Sequence, residues 1–151
     1  MVCAMDSVAK NRVGEIEIAI ISDGYTRLDG GAVFGLVPRV MWEPVIGSEN
    51  IDDQHRIQLG LNCMVVRHGQ TVALIETGMG DKHGPQVREK IFPGDYGHLL
   101  KNLARLDLKP GDITHVANTH LHADHCGWNT IRSGDDLVPT FPNARYLFSR
   151  I

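Results

Sequence analysis

One short segment of the sequence concentrates the side chains that bind metal ions. His120, His122, Asp124 and His125 form an H-x-H-x-D-H string, and four of the eight histidines of the chain fall within residues 115–125. In an extended segment, residues two apart point the same way, so the imidazoles of His120 and His122 can bind one ion such as zinc. Asp124 and His125 can reach a neighbouring ion once the chain turns. The string therefore predicts two adjacent metal sites on one loop.

Two neighbouring metal ions would supply hydrolytic chemistry. Ions about 3.5 to 4 Å apart can share a bridging hydroxide, because they lower the pKa of water from roughly 15.7 to about 7, and they polarise the oxygen of the group under attack. Asp124 would then be catalytic as well as a metal ligand, since its free oxygen can take a proton from the nucleophile and pass it to the leaving group. The alternative is a polar loop with no metal. Three histidines and a carboxylate so close together at a strand end favour the metal site.

Three predicted strands would position this loop. Residues 113–117 are apolar and β-prone and run directly into the string. Residues 61–66 and 71–75 have the same character on either side of the turn His68-Gly69-Gln70, which predicts a hairpin. The hairpin ends in a glycine-rich loop, residues 76–81, whose glycines allow a sharp turn or a close approach of the backbone.

The N-terminal part of the chain predicts another hairpin. Residues 15–21 and 25–28 are β-prone and flank the dipeptide Asp23-Gly24, which is typical of a tight turn. Residues 32–40 are apolar but interrupted by glycine and proline, and this pattern favours a packed loop over a regular element.

An amphipathic helix is predicted between the glycine-rich loop and the histidine string. Apolar residues recur at helical spacing over residues 96–106, behind a possible cap at Asp95, and Lys109-Pro110-Gly111 closes the helix. A last strand is predicted over residues 144–148. Strands and one helix in this order indicate an α/β (α+β) fold.

The composition indicates one globular domain. The chain has 151 residues, of which 42% are hydrophobic, and its net charge of −3 carries no basic patch of the kind that binds nucleic acid. No apolar stretch approaches the roughly 20 residues that cross a bilayer, so we expect no membrane association and a cytoplasmic location. Three cysteines, an odd number without C-x-x-C spacing, argue against a disulfide framework and a thiol-based zinc finger. We expect the domain to span residues 15–151, after an N-terminal extension of residues 1–14.

With this histidine string, the sequence resembles the metallo-β-lactamase superfamily of metal-dependent hydrolases. The resemblance is carried by residues 119–127, which contain the histidine string, and by residues 74–78 on the preceding hairpin. Further matches are similar to the branch that holds quorum-quenching N-acyl homoserine lactonases and methyl-parathion-hydrolase-like enzymes. These matches are Asp29-Gly30-Gly31, Phe34-Gly35, Pro38, Leu61-Asn62 and residues 139–144.

The resemblance implies an αβ/βα sandwich and a site with two metal ions, usually zinc, that hydrolyses a small lactone, ester or phosphotriester. It also implies that Glu76 orients a ligand histidine from behind, although a strand-end carboxylate could instead cap loop amides. Phe34, Met41 and Trp42 lie on the loop that covers the substrate pocket in this branch, or they fill a gap in the core. A homodimer is plausible for the branch.

One departure from the family pattern bears on the activity. Family members take further histidines and a bridging aspartate from the later half of the domain, but no histidine follows His125 here and the chain stops at Ile151. At most two ligands per ion remain, whereas a catalytic zinc has about three. We therefore expect only the N-terminal half of the domain, with an exposed apolar face. The alternatives are a non-catalytic fragment that binds metal weakly and, within the superfamily, a thioester hydrolase of the glyoxalase-II type.

Overall fold

The computed structural model describes residues 8–149 of the chain. Within that range the strands are β1 (Ala9–Val13), β2 (Ile16–Asp29), β3 (Arg56–His68), β4 (Thr71–Ile75), β5 (Gly94–Tyr96), β6 (His115–Asn118), β7 (Thr130–Ser133), β8 (Asp136–Pro139) and β9 (Arg145–Phe148). The α-helices are α1 (Gly30–Phe34), α2 (Arg39–Ile46), α3 (Leu99–Ala104) and α4 (Ala123–Cys126). Short 3-10 turns cover Ser48–Asn50, Pro110–Asp112 and Gly127–Asn129, and Val87–Ile91 forms a π-helical turn.

A mixed sheet organises the described part of the chain. Its strands lie in the order β1-β2-β3-β4-β6-β9, and β5 pairs with the middle of β2. The pairs from β1 to β4 are antiparallel, whereas β4, β6 and β9 run parallel. A separate hairpin is formed by β7 and β8. This architecture confirms the α/β class, and the antiparallel pairing of β3 with β4 confirms the predicted second hairpin.

The main core lies on one face of the sheet. Alternate residues of the central strands point to this face, as the two-residue period of a strand requires, and Leu99 and Leu103 of α3 pack on them with no exposed surface. Burying a leucine fully stabilises the fold by about 1.5–3 kcal/mol relative to leaving it exposed. The buried sheet residues of this core are Ala19, Ile21, Cys63, Val65, Leu74 and Val116.

The opposite face of the sheet is also apolar, but less covered. Strand pairing aligns Ile20, Met64, Ile75, Ala117 and Leu147 in one row across five strands. The first four are half-buried, and Leu147 is 46% exposed. In the described residues this apolar face is therefore partly covered, and of this row only Leu147 on β9 is exposed as the sequence predicted.

The predicted N-terminal hairpin is wrong. Residues 16–29 form one continuous strand, β2, whose pairing with β3 is interrupted only by a bulge between Ser22 and Tyr25. Gly24 does not make a tight turn. It allows β5 to approach, because a Cβ atom at this position would overlap the backbone of Asp95. The side chain of Asp23 is fully buried.

The packed loop predicted over residues 32–40 is wrong at both ends, because α1 and α2 cover residues 32–34 and 39–40, and only residues 35–38 between them form a loop. The carboxylate of Asp29 accepts a hydrogen bond from the backbone N–H of Ala32, at 2.9 Å, and so caps α1 despite its glycines. Trp42 of α2 packs over Gly30, where a Cβ atom would overlap the indole ring. Long-range burial of Trp42 thus overrides the local glycine and proline signals.

The predicted helix begins later than the sequence suggested. Tyr96 belongs to β5 and pairs with Gly24, so α3 starts at Leu99 with His98 at the N-cap position. Asp95 is not the cap, since its carboxylate lies 2.8 Å from the ring of His98. The strands predicted over residues 113–117 and 144–148 are confirmed as β6 and β9 with slightly shifted bounds.

Candidate metal centre

The histidine string follows β6, as predicted, and begins two residues after its last residue. Because β4 and β6 are parallel, their carboxyl ends meet at one edge of the sheet, and this is where ligands bind in open α/β sheets. The backbone N–H of Glu76 donates to the carbonyl of Ala117 at 2.9 Å, so Glu76 lies beside the start of the string. Asp124 and His125 lie on the single turn of α4.

The first two histidines present nitrogen atoms to each other. Nε2 of His120 lies 3.1 Å from Nδ1 of His122, and the ring centroids are 4.7 Å apart. Two nitrogens bound to one tetrahedral zinc at its usual bond lengths would be about 3.3 Å apart. Both residues are exposed. The separation therefore fits two imidazoles that share one ion.

A second pair of donor atoms follows on α4. Oδ2 of Asp124 lies 3.5 Å from Nε2 of His125, again close to the spacing of two ligands of one ion. The rings of His120 and His125 have centroids 3.9 Å apart, so the two donor pairs are adjacent. Asp124 and His125 have side chains that are 28% and 32% exposed, which leaves them accessible to water.

The other ring nitrogen of His125 faces a carboxylate. Nδ1 of His125 lies 3.1 Å from Oε2 of Glu76, within ion-pair distance but outside hydrogen-bonding geometry, and neither atom has another hydrogen-bond partner among residues 8–149. The second oxygen of Glu76 accepts from the backbone N–H of Thr119 at 2.8 Å. Glu76 thus does both things considered from the sequence: it contacts a histidine of the string and it caps a loop amide.

The electrostatics and the backbone of Glu76 are both unusual. Burial raises the pKa of this carboxyl, but hydrogen bonds from Thr119, the charge of His125 and the side chain of Asn118 together hold the pKa below its ordinary value. The residue also has a positive φ of 63°. A non-glycine residue in this region costs on the order of 1–3 kcal/mol and is held there by its surroundings.

The donor atoms meet in pairs and do not form a complete coordination shell. Within residues 8–149, no group of three or more His, Cys, Asp or Glu side chains is arranged to hold one metal ion. His120 with His122, and Asp124 with His125, supply the nitrogen and oxygen donors that zinc prefers, at spacings that fit. The residues present therefore fit the ions that the string predicts, with two protein ligands for each ion.

A set of polar side chains that the sequence analysis missed fixes the backbone of His125. Its carbonyl oxygen accepts hydrogen bonds from the backbone N–H of Thr77 and from Nδ2 of Asn118, both at 2.8 Å. Asn118 in turn accepts from Asn129 at 2.8 Å, and the hydroxyl of Thr77 donates to Asn129 at 2.9 Å. The sequence signal was available, because Asn118 is a polar residue that directly follows the strand predicted over residues 113–117.

The residues predicted for the substrate pocket do not behave alike. The rings of Phe34 and Trp42 stack with centroids 5.0 Å apart, and Trp42 is only 5% exposed. Met41, by contrast, is 63% exposed. Trp42 therefore fills a small core between α1 and α2, whereas Met41 is free to contact another molecule.

In the part of the chain that the structure describes, every helix is too short or too polar to span a bilayer.

The thiol of Cys126, beside His125, lies 3.5 Å from the carbonyl oxygen of Leu121, and burial raises the pKa of this thiol. The thiol group therefore stays protonated at neutral pH.

A family model described as the metallo-beta-lactamase superfamily matches residues 57–131. This range contains β3 except its first residue, together with β4, α3, β6 and the whole histidine string. It thus includes the hairpin and the loop on which the resemblance was based.

Three solved structures with the same fold are each about twice as long as this chain. A probable metal-dependent hydrolase from Staphylococcus aureus is 30% identical, with a TM-score of 0.77 over 90% of this chain and 47% of its own. AidC, a dizinc quorum-quenching lactonase solved with a product, is 27% identical, with a TM-score of 0.69 over 94% of this chain and 44% of its own. The hydrolase AbOPH, at 24% identity, shares the fold with a TM-score of 0.70 over 95% of this chain and 45% of its own. The chain spans about half the length of these structures.

Proposed function

Since the chain belongs to the metallo-beta-lactamase superfamily, we propose that it contributes the metal-binding loop of a zinc-dependent hydrolase that cleaves a lactone, an ester or a phosphotriester. The observation that carries the proposal is the pairing of donors on one loop. His120 faces His122, and Asp124 faces His125, while the far nitrogen of His125 faces Glu76. Among these substrates a lactone has the best support, because AidC is a lactonase.

Each residue of the loop has a distinct part in this reaction. When bound, the metal ions lower the pKa of water and polarise the carbonyl or phosphoryl oxygen of the substrate. His120 and His122 would hold one ion, and Asp124 and His125 would hold the other. A carboxylate that binds through one oxygen keeps the second oxygen free, so Asp124 can take a proton from the nucleophile and deliver it to the leaving group.

Glu76 would act on His125 and not on the substrate. A metal-bound imidazole usually donates its other ring N–H to a carboxylate, which fixes the tautomer and the orientation of the ring. The 3.1 Å approach of Glu76 to Nδ1 of His125 supports this role. Nε2 of His125 would then be the unprotonated nitrogen, on the side of Asp124.

The experiment combines metal content with turnover. The 151-residue chain is purified without chelator, its zinc is measured by elemental analysis, and a panel of an acyl homoserine lactone, an aryl ester and a phosphotriester is assayed. We expect bound zinc that is lost in His120→Ala, and hydrolysis that is abolished by a chelator and by Asp124→Asn. His68→Ala is the matched control. His68 pairs with the first residue of β4, at the edge of the sheet away from the metal loop, and its side chain is 61% exposed.

A second candidate is a fragment that binds metal weakly without turnover, and it is favoured by the count of two protein ligands for each ion. It predicts substoichiometric zinc and no hydrolysis of any substrate in the panel. If His120→Ala leaves the metal content unchanged and no substrate is hydrolysed in a metal-dependent way, the hydrolase proposal is wrong.

A further inference from the structure

A buried carboxylate connects the elements around the metal loop. Asp23 has no exposed surface, and its two oxygens accept four hydrogen bonds. Oδ2 accepts from the backbone N–H groups of Met79, at 2.9 Å, and Gly80, at 3.1 Å. Oδ1 accepts from the backbone N–H of Leu99, at 2.9 Å, and from Nε1 of Trp128, at 2.7 Å. A carboxylate buried in this way needs such donors, because burial without hydrogen-bond partners would cost on the order of several kcal/mol.

Three of the four donors to Asp23 belong to the two segments that carry the candidate metal site, and the fourth, Leu99, begins α3. Met79 and Gly80 follow Glu76 closely on the glycine-rich loop, and Trp128 follows His125 after one turn. One side chain on β2 therefore contacts both segments at once. None of the four hydrogen bonds of the Asp23 carboxylate comes from a candidate ligand.

The same two segments are tied to each other by their backbones. Gly127 donates to the carbonyl of Gly78 at 2.7 Å, and Thr77 donates to the carbonyl of His125 at 2.8 Å. Two glycines make this approach possible. A Cβ atom at Gly78 would overlap the side chain of Asp23, and one at Gly127 would overlap the backbone of Met79.

We propose that Asp23 is a positioning residue for the candidate metal site, because its carboxylate sets the distance between the loop of residues 76–80 and the segment of residues 124–128. The first segment carries Glu76, and the second carries Asp124 and His125. A site of this kind works only if its ligands are held within about 0.5 Å by the residues behind them. The proposal rests on the proposed function for what the ligands bind, but the positioning itself can be tested without metal.

The substitution Asp23→Asn tests the positioning with little change in volume. An amide has one oxygen and one NH₂ group. In either orientation the NH₂ group therefore faces two N–H donors whose hydrogen bonds a carboxylate oxygen accepts in the parent, and it cannot accept them. Leu103→Ala is the matched control. Leu103 is fully buried in the main core on α3, and its truncation lowers global stability by about 2–5 kcal/mol without removing a hydrogen bond to Asp23.

The measurement is amide hydrogen exchange in the absence of metal, under conditions where circular dichroism shows all variants folded. For Asp23→Asn we expect the exchange rate, relative to the parent, to rise at least about tenfold more in residues 76–80 and 124–128 than in β3, because the two segments open locally. For Leu103→Ala we expect a similar increase throughout the sheet. If Asp23→Asn does not fold, Trp128→Phe removes one donor and keeps the carboxylate, and we expect a smaller increase in the same two segments.

Two results would overturn the proposal. One is exchange in Asp23→Asn, or in Trp128→Phe where Asp23→Asn does not fold, that rises uniformly as it does in Leu103→Ala. The other is exchange in residues 76–80 and 124–128 that does not change. Titration with cobalt(II) then separates the positioning from the function. Local opening with about tenfold weaker cobalt binding and an altered visible spectrum supports both, whereas local opening in a chain that binds no cobalt at all supports the positioning and contradicts the metal site.

Discussion

Oε2 of Glu76 lies 3.1 Å from Nδ1 of His125, on the side of the imidazole away from Asp124. The ring of His125 is thus bracketed by two carboxylates, one at each nitrogen. The tautomer of His125 depends on which of the two carboxylates accepts a hydrogen bond from the ring N–H. A donor on the Glu76 side leaves the other nitrogen unprotonated for a metal ion.

Glu76→Gln tests this bracket. The glutamine oxygen can still accept from the N–H of Thr119, but its NH₂ group would then face Nδ1 of His125. Nδ1 would become the acceptor and the proton would move to Nε2, so the metal-binding nitrogen is lost. We expect zinc affinity to fall by about 10- to 100-fold, measured by competition with a chromogenic chelator. Glu89→Gln, on an exposed turn, should bind zinc as the parent does.

A second prediction concerns the close approach at Gly127. A Cβ atom here would overlap the backbone of Met79, so Gly127→Ala must push the two segments apart. We expect the free energy of unfolding to fall by about 2–4 kcal/mol in urea titrations. Gly84→Ala is the matched control, because Gly84 has open space around it and no positive φ. Its stability should change by less than about 1 kcal/mol. Equal losses in the two variants would show that the approach at Gly127 is not tight.

A third prediction concerns the pH dependence of stability. Burial raises the pKa of Asp23 more than its four N–H donors lower it, so the folded protein binds this proton more tightly than the unfolded chain, whose aspartates titrate near about 3.9. The stabilisation from this proton is complete below the unfolded pKa and is lost as the pH rises through the folded pKa. Cys63 and Tyr96, which sense the charge of Asp23, have raised pKa values and stay neutral in this range.

The measurement is the difference in the free energy of unfolding between the parent and Asp23→Asn, from urea titrations at several pH values. Because asparagine does not titrate, the difference isolates Asp23. We expect the parent to gain relative to the variant as the pH falls through the raised folded pKa towards the unfolded value of about 3.9. A difference that is constant, or that grows with rising pH, would contradict the raised pKa.

A fourth prediction separates the residues that the sequence assigned together to the substrate pocket. Trp42→Ala removes a buried ring that stacks on Phe34, and we expect a loss of about 3–5 kcal/mol. Met41→Ala removes an exposed side chain, and stability should change by less than about 0.5 kcal/mol. If Met41 contacts substrate, its replacement changes the KM of hydrolysis while stability stays constant. A large loss of stability in Met41→Ala would place this side chain in the core instead.

The features that the sequence predicted correctly depend on neighbouring residues. The hairpin of β3 and β4 follows from the turn between two β-prone runs, and the pairing of His120 with His122 follows from the two-residue period of an extended chain. Glu76 was expected beside a histidine of the string from the family resemblance of residues 74–78 and 119–127, and the parallel pairing of β4 with β6 brings the two segments to one edge of the sheet. In each case a few residues contain the whole signal.

The features that the sequence analysis missed depend on distant residues. Asp23-Gly24 has the local pattern of a turn, but β3 and β5 pair on both sides of it and keep the strand extended. The burial of Trp42 similarly stabilises a helix where glycine and proline indicated a loop. Neither contact can be inferred from residues within one turn or one strand, because burial is decided by partners that arrive from elsewhere in the chain.

The contacts of Asp23 also constrain the order of folding. Its donors lie 56 residues further on at Met79, 76 at Leu99 and 105 at Trp128, so closing each contact requires a long loop of chain to be ordered first. Until they arrive, the carboxylate keeps its hydration, and losing that water without donors is unfavourable. We expect the sheet of β2, β3 and β4 to form early. The hydrogen bonds between Asp23 and the segments around the metal site should form last, in a slow step that follows collapse.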